Sequence, residues 1–211
     1  MAIRIPKRLK TEKKESEIKE ERAADDKVNT PAELIDHAEE ALWEKDPVGA
    51  HSVNNQAIKN MLSMLSSEQR VIMPTTNSAY GSGNSENFCD ENSPLNPISK
   101  YALDKVEIEK ELMSRSNSIS LRLATVFGMS PRMRLDLLVN DFTYRAVTDG
   151  FLILFEGHFK RNYIHVIDIA RVFIHGIENF DQMNGEVYNV GGHNEKTNIE
   201  VVKTILLSKP H

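Results

Sequence analysis

Tyr101 and Lys105 stand four residues apart in the stretch Pro97-Ile98-Ser99-Lys100-Tyr101-Ala102-Leu103-Asp104-Lys105. On a helix this spacing puts both side chains on one face, so a phenol and an ammonium can share one small volume. A phenol titrates at ~10 in water, and a neighbouring cation favours its anion, which is the form a tyrosine needs to act as a general base. Alone the pair is a weak signal, because Tyr and Lys fall four apart by chance in many chains of this length. The surrounding segments must decide whether it does chemistry.

The elements that would position the pair can be read in chain order. Residues 1–29 carry few large apolar side chains and alternate Lys and Arg with Glu and Asp, the pattern of a charged tail, disordered or a solvated helix. Thr30-Pro31-Ala32-Glu33 opens a helix expected to run to Glu44, with a hydroxyl cap, an early proline and a capping-box glutamate. A second helix is expected to about Ser66, with Val53, Ala57, Ile58, Met61, Leu62 and Leu65 on its apolar side. Arg70-Val71-Ile72-Met73, closed by Pro74, reads as a buried strand, and the Asn-, Ser- and Gly-rich stretch from Thr75 to Lys100 as a long loop. The Tyr101 helix should reach about Ser114, followed by a strand from Ile119 to Phe127. A helix over Leu135–Thr148, a strand at Phe151–Phe155, a helix over Asp168–Asn179, a strand at Glu186–Val190 and a helix after Thr197 complete the pass. Strands alternating with helices predict a parallel α/β sheet.

Composition narrows the class. The 211 residues carry a formal charge of -5, which gives no electrostatic reason for a nucleic-acid partner. No apolar run reaches the ~20 residues that span a bilayer, and the N-terminus lacks the apolar region of a secretory signal, so a cytoplasmic location with no membrane partner is expected. The one cysteine, Cys89, excludes an internal disulfide and a cysteine-based metal cluster.

Four segments in order give the pair its company. They are Thr75-Thr76-Asn77-Ser78-Ala79-Tyr80-Gly81 after a strand, Tyr101-x-x-x-Lys105 on a helix, Arg122-Leu-Ala-Thr-Val-Phe-Gly128 closing the next strand, and Arg161-Asn-Tyr-Ile-His-Val-Ile-Asp168. Between about Asp46 and Gly192 the chain resembles the extended short-chain dehydrogenase/reductases, the branch of NAD-dependent nucleotide-sugar epimerases and dehydratases. The resemblance implies a partial Rossmann-like parallel sheet with helices on both faces, over residues 30–128, and a small substrate lobe over 129–211, with 161–180 packing back on the first part. It implies NAD as cofactor, a nucleotide-diphosphate sugar as substrate, and no metal. By the same resemblance Tyr101 is the catalytic base, Lys105 binds the nicotinamide ribose, and Thr76 hydrogen-bonds the reacting hydroxyl. Asn54, at the start of the helix beneath the site, joins Tyr101 and Lys105 in binding the cofactor, Asn77 and Ser78 join Thr76 in binding the substrate, and Arg161 grips its diphosphate. His165 and Asp168 take structural roles, Asp168 as a helix N-cap.

The departures from the family pattern matter as much. The family meets the dinucleotide pyrophosphate with a Gly-rich turn after its first strand, yet no glycine precedes Gly49, and Gly81-Ser82-Gly83 comes after a different strand with Glu86 where a third glycine would stand. The sequence looks like the catalytic middle of such an enzyme behind an unrelated N-terminal segment, with an uncovered sheet edge that predicts homo-oligomerisation. Two functions are consistent with this: a 4-epimerase-like enzyme working through Tyr101, Lys105 and Thr76, or a truncated, inactive relative that keeps the fold. Asn77-Ser78 argue against elimination, because neither side chain titrates usefully near neutral pH.

Overall fold

The computed structural model describes residues 2–4, 45–81, 89–131, 133–154, 157–158, 160–192 and 196–207. In chain order the elements are β1 (Ala2–Arg4), α1 (Pro47–His51), a π-helical turn (Ser52–Gln56), α2 (Ala57–Met64), β2 (Val71–Thr76), a 3-10 turn (Asn77–Tyr80), α3 (Lys100–Met113), β3 (Ser118–Leu123) and β4 (Thr125–Phe127). They continue as α4 (Leu138–Thr148), β5 (Phe151–Ile153), β6 (Lys160–Arg161), β7 (Tyr163–His165), α5 (Val166–Glu178), α6 (Phe180–Met183), β8 (Val187–Val190), β9 (Lys196–Thr197) and α7 (Asn198–Leu207). The chain divides into two compact units, one of Glu39–Val126 with Tyr163–His193, the other of Met1–Ala38, Phe127–Asn162 and Asn194–His211.

The first of these units is a parallel α/β sheet. β3 lies at its centre, paired with β2 from Val71↔Ser118 to Thr76↔Leu123 and with β8 from Ser120↔Val187 to Leu123↔Val190, both parallel. Side chains alternate across a strand, and the two faces differ. Ile72, Ile119, Leu121 and Val190 pack against Ile169, Val172 and Phe173 of α5 and Phe180 of α6. On the other face Met73 and Val71 pack against Ile108 and Leu112 of α3 and Leu62 of α2. Helices therefore cover both faces, as expected of a Rossmann-like layer, and among the described residues β2 has no strand on its outer edge. The other unit holds the antiparallel pairs β1–β5 and β6–β9 and a core of Ala146, Leu152, Leu154 and Val202.

Several sequence expectations need correction. Pro74 does not close β2 but lies inside it. The Val71 N–H donates to Asn117 O, 2.9 Å away, so by alternation the N–H groups of 71, 73 and 75 face β3. The nitrogen of Pro74 points to the open edge, where no ladder bond is lost. The second helix is interrupted by the π-helical turn, which shifts the helical phase from Ala57 onward. Met61 is therefore exposed, and within the turn itself Val53 is exposed while Asn55 is fully buried. The single strand expected over Ile119–Phe127 is two, broken at Ala124. Ala2–Arg4 is not part of a tail but pairs with Phe151–Ile153. Most of the expected charged segment and the helix from Pro31 to Glu44 lie outside the described residues.

Candidate active site

Thr76 ends β2 and is buried. Its hydroxyl accepts from the Ser78 N–H at 3.1 Å and so caps the 3-10 turn that carries Asn77, half-buried, and Ser78, exposed. The turn closes on Gly81 at φ 67°, where an added Cβ would stand 2.2 Å from Asn96 O, so only glycine fits the return of the loop. Asn96 N–H then donates to Ala79 O at 2.9 Å.

Tyr101 and Lys105 lie one turn apart at the start of α3. Ser99 caps this helix by accepting from Ala102 N–H at 3.2 Å. Both side chains are half-buried, and Lys105 Nζ stands 5.7 Å from the centroid of the Tyr101 ring, so the fixed charge and the phenol share one neighbourhood. α3 packs against the 3-10 turn and the π-helical turn. The turn bearing Asn77 and Ser78 therefore meets the helix of Tyr101 and Lys105 at the carboxyl end of β2, where parallel sheets bind their ligands, and the π-helical turn bearing Asn54 packs on the same helix.

Asn54 is half-buried in the π-helical turn. The amide that grips α3 belongs to its neighbour Asn55, whose Nδ2 donates to Asp104 Oδ1 at 3.2 Å and Glu107 Oε2 at 2.8 Å. His51 Nδ1 lies 2.9 Å from the same Asp104 oxygen. Lys59 pairs with Glu107 at 2.5 Å, and that bond, with the one from Asn55, lowers the Glu107 carboxyl below its ordinary value.

A second polar cluster lies beneath α3. Glu109 on α3 and Arg122 on β3 are both buried and meet through three hydrogen bonds, the shortest 2.6 Å. Glu109 also accepts from Thr75 Oγ1 at 3.0 Å and Ser120 Oγ at 2.8 Å. Arg122 donates to the Tyr80 hydroxyl at 2.6 Å, and that hydroxyl donates to Asn189 Oδ1 at 2.7 Å. Burial pushes the Tyr80 phenol up against the opposing pull of Arg122. Burial works to lower the Arg122 guanidinium, but the bonds to Glu109 and Tyr80 outweigh it and keep the group charged.

Sequence reading quoted Arg122 and Tyr80 as motif members but missed Glu109, Asn189, Asn55 and Asp104. An arginine inside a strand of buried apolar residues was the available signal, since a buried charge requires a partner. Arg161 sits on β6, paired with Lys196, in the other unit. His165, not Asp168, caps α5: its Nδ1 accepts from Ile167 N–H at 3.2 Å, while Asp168 lies in the first turn and pairs with Arg171 at 2.8 Å. The helix begins two residues earlier than expected, which moves the cap position off Asp168.

The arrangement can be tested against a dinucleotide. Tyr101 and Lys105 suit the nicotinamide ribose, offering a hydroxyl and a cation one helical turn apart. For the pyrophosphate neither Gly81 nor Gly49 makes a cradle. Gly81 is filled by Asn96 O, and the amide of Gly49, at the start of α1, is taken by Asp46 Oδ1 at 2.8 Å. A pocket of about 350 Å³ lined by Arg70, Ile72, Phe173, Ile177 and Phe180 lies on the α5 face of the sheet, opposite α3, and does not contain the Tyr101 site. No helix among the described residues is long and apolar enough to cross a membrane.

Comparison with known proteins agrees with the fold. The model of the NAD dependent epimerase/dehydratase family matches residues 10–191. A dTDP-glucose 4,6-dehydratase of Neisseria gonorrhoeae is 30% identical over 138 residues, 62% of this chain and 39% of the relative. YtcB of Bacillus subtilis, an uncharacterized UDP-glucose epimerase, is 27% identical over 167 residues, 75% of this chain and 51% of the relative. Among solved structures, dTDP-glucose 4,6-dehydratase from Bacillus anthracis in complex with NAD superposes with a TM-score of 0.68 at 23% identity, covering 82% of this chain and 60% of that one. UDP-glucose 4-epimerase from Thermus thermophilus with NAD gives 0.64 at 24% identity, covering 78% and 56%. The chain thus spans between 39% and 60% of the length of these relatives.

Proposed function

The chain belongs to the NAD-dependent epimerase/dehydratase family, and we propose that it works on the hexose of a nucleotide-diphosphate sugar as a 4-epimerase-type enzyme. The observation that carries the choice is the turn after Thr76. Removing water from a sugar needs an acid and a base of its own beside the oxidising tyrosine. Asn77 and Ser78 fill the two positions that border the site, and neither side chain exchanges a proton near neutral pH.

In this reading Tyr101, as its anion, takes the proton of the sugar hydroxyl at C4, and the Lys105 charge favours that anion. Thr76 orients the oxygen by a hydrogen bond while the carbon changes hybridisation. NAD, when bound, would supply hydride acceptance from that carbon and return to either face. Tyr101 and Lys105 would hold its nicotinamide ribose, and Asn54 lies on the turn packed beside their helix. Arg161 would grip the diphosphate, which suits a planar fork of charged donors.

The test is product analysis after incubation with NAD and UDP-, GDP- and dTDP-hexoses. The expected product is the C4 epimer of one of them. A 4-keto-6-deoxy sugar would show that a dehydratase operates without titrating groups at 77 and 78, and would overturn the reading.

A further inference from the structure

The Arg122 side chain ties β3 to the helix that bears Tyr101 and Lys105, to the turn after Thr76 and to the loop that returns beside it. It is 5% exposed, and its guanidinium reaches three other parts of the chain. Nε and Nη2 engage both oxygens of Glu109 on α3, four residues beyond Lys105. Nη1 donates to the Tyr80 hydroxyl at 2.6 Å, at the end of the turn that starts from Thr76, and to Glu91 O at 3.3 Å in the returning loop. The guanidinium carbon also lies 5.1 Å from the centroid of the Tyr80 ring, so the turn is gripped by its ring and by its hydroxyl. From Tyr80 the network passes to β8 through Asn189 Oδ1, and Asn189 holds the same loop in return. Its N–H donates to Glu91 Oε1 at 2.6 Å and its Nδ2 to Cys89 O at 3.3 Å.

The reactive groups lie on two separately encoded pieces, the Thr76 turn and the Tyr101–Lys105 helix, which must keep a common register, and the 89–96 loop closes on the turn through Asn96 N–H and Ala79 O. Apolar packing beneath α3 is tolerant of small sliding, because it has no preferred direction. Bonds from a planar guanidinium are directional and fix both distance and angle. We infer that Arg122 is a positioning residue, which sets the Thr76 turn against the Tyr101 helix through Tyr80 and Glu109 and pins the 89–96 loop over the carboxyl ends of the strands. This rests on the reading in which Thr76, Tyr101 and Lys105 form the reactive site, but the register itself can be measured without turnover.

The experiment compares the parent chain with Arg122→Lys and Tyr80→Phe by amide hydrogen exchange and by steady-state kinetics on the hexose that the parent turns over. Lysine can still pair with Glu109 but offers no fork to reach Tyr80 as well, and phenylalanine keeps the ring while removing the shared hydroxyl. Exchange at the amides of Ser78, Gly81 and Asn96 should rise about tenfold or more in both variants, with Ser120 and Ala124 in the central strand changed by less than about twofold. kcat should fall about tenfold or more while KM moves by less than about threefold, the split expected when alignment is lost and binding is kept. Unchanged exchange at 78, 81 and 96, or a rise spread equally over the central strand, would overturn the inference and leave Arg122 a general stabiliser. If Arg122→Lys does not fold, Tyr80→Phe decides by the same amides. A parent chain with no turnover would defeat the functional reading, and the exchange result would still decide the positioning one.

Discussion

The two faces of β3 solve the same packing problem in opposite ways. Ile119 and Leu121 meet α5 through an apolar layer, whereas Ser120 and Arg122 on the other face meet α3 through Glu109, Thr75 and Tyr80. The apolar face holds by area, and area is indifferent to a shift of a few tenths of an ångström. The polar face holds by direction. A buried ion pair with its hydrogen bonds satisfied adds little net stability over a well-packed apolar core, yet removing one partner is costly. The helix with the weaker case for stability on these grounds is the one that carries Tyr101 and Lys105. The costly, directional contact is placed where register matters for chemistry.

The contrast can be broken by single changes. Glu109→Ala strands the Arg122 charge and takes the acceptor from Thr75 and Ser120, and should lower unfolding free energy by about 3–5 kcal/mol in chemical denaturation. A loss under about 1 kcal/mol would mean that water replaces the carboxylate and the face is not closed. On the apolar face Ile119→Val removes one methylene from a fully buried side chain and should cost about 0.5–1.5 kcal/mol. A larger loss would show that this face is as exacting as the other.

The smallest effect sharpens the comparison by moving to the rim of α3. Glu107 is more than half exposed, and its bonds to Lys59 and Asn55 depress its carboxyl below the ordinary glutamate value of 4.5. A depressed folded value contributes stability above the unfolded value, and the contribution is lost as pH falls through the folded one. With solvent screening it should not exceed about 1 kcal/mol. Glu107→Gln should therefore differ slightly from the parent in thermal stability at pH 7, and the difference should close as pH falls below the ordinary glutamate value and through the depressed folded one. A difference that persists in acid would assign the effect to shape and not to charge.

How much the sequence disclosed depends on the range of the interactions. The start of α3 was legible because Ser99, Tyr101 and Lys105 act within one turn, and caps and helical spacing are local. Likewise β3 and β8 were legible as apolar runs between turn residues. The π-helical turn was not, since nothing within Ser52–Gln56 marks the extra residue in the turn, so a straight helical count turned Val53 and Met61 inward and left Asn55 unnoticed. Pro74 misled for a related reason: whether proline ends a strand depends on which edge its nitrogen faces, and that is fixed by β3, over forty residues away. Thr76, Tyr101 and Lys105 were legible as a motif. Glu109 and Asn189 became visible only with the fold, because Arg122, the partner of Glu109, lies 13 residues away in sequence and Tyr80, the partner of Asn189, lies 109 away. The start of α5 moved by two residues, from Asp168 to Val166, and took the cap to His165, at the scale where helix ends are least legible.

Whether Tyr101 and Lys105 hold a nicotinamide dinucleotide decides between an enzyme and an inert relative. Calorimetric titration of NAD into the parent chain and into Lys105→Met tests this directly. Saturable binding to the parent is expected, weakened about tenfold or more, or about 1.4 kcal/mol, when the ammonium is removed. No binding to the parent at millimolar NAD, or equal binding by Lys105→Met, would contradict the assignment of these two residues to the cofactor.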